Sequence, residues 1–444
     1  MFQGYYTGIS GIQTHQYGLD VISENLANVS TTAYKSTTTE FSDLFSKVIN
    51  NGGSPTSNDI GYGTKLQTTS VQFLQGSILP SDRFSDLAIE GDGWFATTSK
   101  GENFYTRDGH FLFDANEQVA GDANSSFARL VTSDGKFVNG TMLSNFTYDA
   151  GFNYDDLANN DESGAYILSS PMDDVPLAAV DAQTKIEFPT RLAYPVTPTT
   201  EIDFFGNLGV VKEPRTISSD AISAANEHNR IKLSFTQSAV QPAIGIAWDI
   251  VATATSNDGS VVYDTQNGQA IFGDSGELRS FNITSLNNDG TPVAINLGTN
   301  FSGVISSDGI GVSGSAQSNG IPGGTLTNYS INPDGVIMAD FSNGRQSAIG
   351  RVAVYHFQND QGLSRQGGTY YQESANSGNP YFLTNADGEA ITGSIIRSRA
   401  LEASNVRMDV GLTEMIIMQR AYQANAKTIT TADEMIQKAL QMHR

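Results

Sequence analysis

Hydrophobic positions along this chain follow two different periods. Between residues 5 and 33 an apolar side chain returns every seventh position. Tyr5, Ile12, Leu19, Leu26 and Ala33 share one seam position, and Ile22 and Val29 share its partner. Toward the other end Leu401, Met408, Met415, Tyr422, Ile429 and Ile436 recur at the same spacing, joined by Met418, Ala432 and Ala439. A seven-residue seam predicts helices that bury a narrow stripe against another helix. Between these ends the pattern changes to short β-favouring runs, such as 103–106, 111–113, 248–251 and 352–357. Asp-Gly and Asn-Gly pairs punctuate them, for example at Asp92, Asp134, Asn319 and Asn343. Such pairs tolerate the positive φ angles of tight hairpin turns. The expected fold is mainly β, a multi-domain subunit of sandwich-like or barrel-like modules with a coiled-coil helix at each end.

An amphipathic helix usually packs on the core of its own domain. Three features favour a helical partner here. The seam is narrow, the two helices stand at opposite ends of the sequence, and five of the nine methionines (Met408, Met415, Met418, Met435, Met442) fall in the last segment. Flexible thioethers fill irregular interfaces well. A helix with only a seam to bury gains little by folding before its partner arrives.

The length of 444 residues fits about three domains at roughly 100–200 residues each. There are 25 basic against 47 acidic residues, a net charge of -22, and all of the excess lies in residues 51–396; the two ends are neutral together. Such a middle repels phosphates and anionic lipid, which argues against nucleic acid as a partner. The absence of cysteine excludes disulfides, thiolate metal sites and thiol nucleophiles. No apolar run approaches the ~18 residues needed to span a bilayer, so membrane insertion is not expected. The first basic residue is Lys35 and no apolar segment follows Met1, so a cleaved secretory signal is not expected either.

Candidate chemistry is sparse. Gly273-Asp274-Ser275-Gly276 spells the nucleophile motif of trypsin-like proteases. A serine nucleophile needs a histidine base and its orienting carboxylate in space. The five histidines, His15, His110, His228, His356 and His443, stand in no such context, and the tetrapeptide is also an ordinary turn. Asp155, Asp156, Asp161 and Glu162 offer carboxylates for Ca²⁺, but the EF-hand-like frame from Asn159 places Ser170 where a bidentate Glu is required. A solvated acidic loop is the favoured reading, and Asp173-Asp174 is read the same way. No catalytic, cofactor or metal site is expected.

Several segments resemble bacterial flagellar rod and hook proteins. Glu24-Asn25-Leu26-Ala27-Asn28, followed by Thr31-Thr32-Ala33-Tyr34-Lys35, is similar to the family's Asn-Asn-Ile-Ala-Asn and Thr-x-Gly-Phe-Lys signature, with changes at Glu24, Leu26, Ala33 and Tyr34. Leu401-Glu402-Ala403-Ser404-Asn405-Val406 resembles Leu-Glu-x-Ser-Asn-Val, with Arg407 in place of the usual Asp. The stretch from Gln419-Arg420-Ala421-Tyr422 to Met435 is similar to the family's C-terminal helix. Internal motifs at 73–76, 86–95 and 105–111 fall in the family's order. The clear resemblance covers about residues 1–115 and 325–444.

The resemblance implies that residues 1–35 and 397–444 form an inner polymerising layer of helices. It further implies a linker region at 36–70, a β domain from 71–148 and 325–396, and an inserted outer β domain at 149–324. That insertion points to a hook-type subunit, a structural protein forming a curved, flexible tube that transmits torque. A distal rod subunit is the alternative within the family, and a secreted β-rich adhesin the alternative outside it. The implied partners are further copies of the chain, the distal rod protein, the hook cap protein, the hook–filament junction protein and the flagellar type III export apparatus. The implied location is the extracellular hook, reached without a cleaved signal peptide. Bending is expected through β modules tied by extended linkers such as residues 50–59.

Overall fold

The computed structural model describes residues 2–44, 46–48, 59–114, 127–149, 152 and 164–442. Two long helices, α1 (Phe2–Ala27) and α2 (Met408–Met442), bracket an interior built almost wholly of strands. They lie side by side and antiparallel. Gly8 of α1 faces Ile429, Gly11 faces Asn425, and Gly18 faces Met418. A methyl group added at Gly8 or Gly11 would come within 2.8 Å of Ile429 or 2.7 Å of Asn425, so these glycines set how closely the helices approach.

Two expectations about the helices need correction. α1 stops at Ala27, so Val29 and Ala33 lie beyond it. The Asn28 side-chain amide donates to the Glu24 carbonyl at 2.9 Å, β-branched Thr31 and Thr32 follow, and Ala33 takes a positive φ of 55°. At the other end Leu401 belongs to the strand Ala400–Glu402, and the helix begins only at Met408.

Residues 36–70 are not simply a linker. Thr37–Asp43 pairs antiparallel with Thr64–Val71, from Thr37 opposite Val71 to Asp43 opposite Thr64, with a bulge at Glu40/Phe41. This ribbon lies against α1: the Thr14 hydroxyl donates to the Thr64 carbonyl at 3.2 Å, and Phe41 meets His15 edge-on. Of the expected flexible stretch 50–59, all but Asp59 lies outside the described residues, as does the acidic cluster Asp155, Asp156, Asp161 and Glu162.

Among the described residues the interior has two large cores and two smaller clusters. The first draws Leu87, Phe95, Phe111, Leu130 and Phe188 from the first half of the chain and Ile337, Ile349 and Val352 from the second. Strand Trp94–Ser99 is buried on both faces: Phe95 enters this core, while Trp94 and Ala96 enter a smaller one with Tyr105, Tyr355 and Tyr371. The second core is confined to residues 202–304, with Ala316 packed against it. A five-stranded antiparallel meander running from Arg215–Ile222 to Leu278–Phe281 faces a six-stranded sheet containing Glu201–Asn207 across that core. In His228–Gln237 the alternation is regular, with Ile231, Leu233 and Phe235 inward and Arg230 and Lys232 outward.

The outer β unit is therefore shorter than the expected 149–324. Ala165–Leu168 pairs with Leu192–Tyr194, which in turn pairs with Gly324–Ile331, and side chains of all three enter the first core. Turn dipeptides locate hairpins but do not say which sheet a strand joins, which is why the boundary was displaced. Two chain crossings connect the bodies, bridged at Thr197 and Ile321 and steadied by the Asn319 carboxamide oxygen accepting from Thr200 N and Glu201 N.

Candidate assembly site

α1 contains Gly4, Gly8, Gly11 and Gly18 in 26 residues, each weakening an isolated helix by about 1 kcal/mol relative to alanine. Its folding therefore depends on what it packs against. Along its inner face Gly8, Gly11, Thr14, Gly18 and Ile22 are buried. Ile12, Leu19 and Leu26, expected in the seam, are only half-buried, and Tyr5 and Tyr17 are exposed. Small residues win the contact because they admit the larger side chains of α2.

On α2 the half-buried positions include Met415, Met418, Ile429 and Ile436, with Ala432 the one buried side chain described in that helix. Their spacing is the anticipated heptad. Met408 and Tyr422, assigned to the same seam, are exposed. Leu412, Ile416 and Ile417 are exposed too, the last two at 59 % each, so apolar side chains surround this stretch of helix. A helix apolar all round is one that other elements cover.

The helices are tied to the first β body by a polar joint. Lys35 Nζ lies 2.6 Å from Glu402 Oε1, and both side chains are essentially inaccessible, at 1 % and 0 %. The ammonium also donates to the Leu74 carbonyl at 2.9 Å, and Gly76 N donates to the same Glu402 oxygen at 2.8 Å. Arg107, from the β body, stands 3.7 Å from Glu402 Oε2 with its guanidinium over the Trp94 ring. Burial pulls the Lys35 ammonium below the usual lysine range, and Glu402 only partly offsets this. Arg107 is lowered for the same reason. Two cations thus share one anion in a dry site.

Asparagines complete the joint. Asn25 is bidentate to the backbone of Thr37, accepting at 2.9 Å and donating at 2.7 Å. Asn405 accepts from Ser36 N at 2.7 Å and donates to the carbonyls of Gln72 and Leu74. Asn28 holds the end of α1, accepting the Thr31 hydroxyl at 3.1 Å. Ser404 accepts from Val406 N at 3.3 Å, and Val406 lines a 590 Å³ cleft between the helix bases and the β body. Val29 lines a second cleft with Leu79 and Leu401. Ala27, Gln419 and Arg420 are exposed, and the arginine donates to the Gln423 side chain at 3.3 Å.

The joint thus gathers Asn25, Lys35 and Asn405 from the motif residues. Sequence reading missed Glu402 as the partner of Lys35, and Arg107 and Gly76 as further partners of that carboxylate, although all three stand inside the quoted motifs. Spacing cannot pair a cation with an anion 367 residues away. Gly76 is required because a methyl group there would lie 2.0 Å from the Ala403 carbonyl.

The Gly273–Gly276 tetrapeptide is a tight turn closed by Gly276 N on Gly273 O at 2.9 Å. His228 sits at the far end of the same sheet, opposite Ile222, and His356 is buried against the Thr392 carbonyl. Among the described residues no cluster of three or more His, Asp or Glu could hold a metal ion. No described helix is long and apolar enough to cross a membrane.

Three family models match in chain order. They are the flagella basal body rod protein over residues 6–35, the flagellar hook protein FlgE/F/G D1 domain over 88–190, and the flagellar basal body rod FlgEFG protein C-terminal over 397–442. The chain is 29 % identical to the flagellar hook protein FlgE of Borreliella burgdorferi, with all of both chains covered. It is 26 % identical to the FlgE of Salmonella typhimurium over 96 % of this chain and 97 % of that one. Among solved structures, Helicobacter pylori flagellar hook protein FlgE2 covers 73 % of this chain and 100 % of its own at 15 % identity, with a TM-score of 0.47, a likeness too distant to carry an argument. With three models in order and hook proteins aligned from end to end, the chain belongs to the flagellar hook and rod protein family.

Proposed function

We propose that the chain is the self-assembling subunit of the flagellar hook, with residues 1–35 and 397–444 as its polymerising part. The observation that carries this is α2: it spans 35 residues, pairs with α1 along one side, and leaves Leu412, Ile416 and Ile417 in water. Copies of the same helix pair, crowded around a channel, bury those side chains at about 25 cal/mol per Å² of apolar surface. Neutral ends crowd without repulsion, and the acidic middle faces outward.

In this reading Ile12, Leu19, Ile22, Leu26 and Val29 with Met408, Met415, Met418, Tyr422, Ile429 and Ile436 form the inner contacts, some within the subunit and some between copies. The first β body forms a middle layer and residues 196–323 an outer one. The tube sits outside the cell and flexes as a universal joint, continuing from the distal rod protein and meeting the cap and junction proteins at its far end. Subunits reach it through the flagellar type III export apparatus, without a cleaved signal peptide. The full-length similarity to hook proteins supports this reading over the distal rod subunit and over an adhesin.

The test is negative-stain electron microscopy of the full chain concentrated in ammonium sulfate, which strengthens apolar burial and screens charge. Wild type should give curved tubes, and Ile416→Asp/Ile417→Asp should remain monomeric with its β circular dichroism intact. Straight tubes would shift the assignment to a rod subunit. A double variant that polymerises like wild type would remove α2 from the interface.

A further inference from the structure

A cleft of 560 Å³ opens on the first β body, and no residue of the terminal helices or of the outer unit lines it. Strand register builds its floor. Ala96 and Thr98 share one face of Trp94–Ser99, and across the ladder Tyr105 stands opposite Ala96 and Asn103 opposite Thr98. Tyr105 and Tyr355 meet edge-on with ring centroids 5.7 Å apart, and both are nearly inaccessible, at 1 % and 3 %. Asp181, Lys185 and Glu373 line the same cleft as exposed residues, with the Lys185 ammonium 4.1 Å above the Phe137 ring.

The polar groups of the floor are not all answered by the protein. Asn139 and Thr98 satisfy each other: Asn139 Nδ2 donates to Thr98 Oγ1 at 2.7 Å, and that hydroxyl donates to Asn103 Oδ1 at 2.9 Å. The hydroxyls of Tyr105 and Tyr355 have no hydrogen-bond partner among the described residues. A buried phenol ordinarily finds one, as Tyr329 does by donating to the Pro189 carbonyl. Burial pushes both hydroxyls above the usual tyrosine range, with Glu373 adding to the effect at Tyr105 and Tyr105 adding to it at Tyr355. Both therefore stay protonated, able to donate as well as accept.

The charges along the cleft narrow the class of ligand. A simple cation is repelled by Lys185, and a simple anion by Asp181 and Glu373. A neutral molecule dense in hydroxyls suits every group, because it donates to the carboxylates, accepts from the ammonium, and does both with the tyrosine hydroxyls. The volume falls within the ~300–1,000 Å³ of small-ligand sites. We propose that this cleft is a binding site for a mono- or disaccharide, with Tyr105 and Tyr355 as its hydroxyl partners at the floor and Asp181, Lys185 and Glu373 around them. The site uses none of the residues given to assembly.

The experiment is saturation-transfer NMR of the full-length chain with glucose, N-acetylglucosamine and maltose as probes at millimolar concentration. Wild type should transfer saturation to at least one of them. Tyr105→Phe/Tyr355→Phe keeps both rings and removes both hydroxyls, and should weaken that binding about tenfold, the scale of two neutral hydrogen bonds. Since those hydroxyls bond nothing in the protein, the double variant should melt no lower than wild type and assemble under sulfate as wild type does. A lower melting temperature or altered assembly would make the hydroxyls structural and overturn the proposal. Absence of transfer from all three sugars would overturn it too, leaving the cleft to water. Saturation transfer to free arginine but to no sugar would reject the saccharide in favour of a basic side chain from a second copy.

Discussion

At the scale of single residues, charge and volume act in opposite senses along one joint. Glu402 holds two cations, so losing it leaves both uncompensated, whereas losing Lys35 leaves a matched pair. Glu402→Gln should therefore cost about 3–5 kcal/mol in urea unfolding, and Lys35→Met distinctly less; equal costs would mean that Arg107 is not part of the group. The glycines of α1 make a paired test. A side chain at Gly4 meets nothing, so Gly4→Ala should raise helix stability by about 0.5–1 kcal/mol. At Gly11 a methyl would collide with Asn425, so Gly11→Ala should cost about 1–3 kcal/mol, read as melting of the helical signal.

Asp134 supplies a pH prediction at the same scale. Its partial burial raises the carboxyl, but hydrogen bonds from Lys136, Thr132 and Tyr370 outweigh that and hold it down to about 2. A carboxyl depressed in the folded state contributes stability above its unfolded value near 3.9, and that contribution is lost as pH falls toward the folded value. The melting temperatures of wild type and Asp134→Asn should therefore converge between about pH 4 and pH 2. The side chain is 43 % exposed, so the difference at neutral pH is small.

At the scale of elements, neither helix is self-sufficient. α1 is rich in glycine and α2 buries a single described residue, so each leans on the other, and α1 leans also on the ribbon of Thr37–Asp43 and Thr64–Val71. Deleting residues 408–444 should remove more helical circular dichroism than the 35 residues of α2 account for, because α1 frays with it. A loss equal to α2 alone would show that α1 is held by the ribbon.

At the scale of the whole molecule, the two β bodies have separate cores and meet through two chain crossings. Calorimetry of the monomer should resolve two transitions, and residues 196–323 should fold alone with the transition assigned to the outer unit. One cooperative transition, with an unfolded fragment, would mean that the bodies stabilise each other.

Much of this was legible in the chain itself, because local chemistry specifies it. The seven-residue period placed helices at both ends, Asp-Gly and Asn-Gly pairs announced a β interior, and uneven charge separated ends from middle. Motif spelling marked Asn25, Lys35 and Asn405, and the structure gives each a partner. Tertiary structure decided the rest, where distant residues meet. It stopped α1 at Ala27, assigned 165–168 and 192–194 to the first core, and put small residues in the α1 contact where the heptad favoured Ile12 and Leu19. It also joined Lys35, Arg107 and Glu402. Periodicity reports which face of an element is apolar; what covers that face, and which buried charge answers another, is settled only when the whole chain closes on itself.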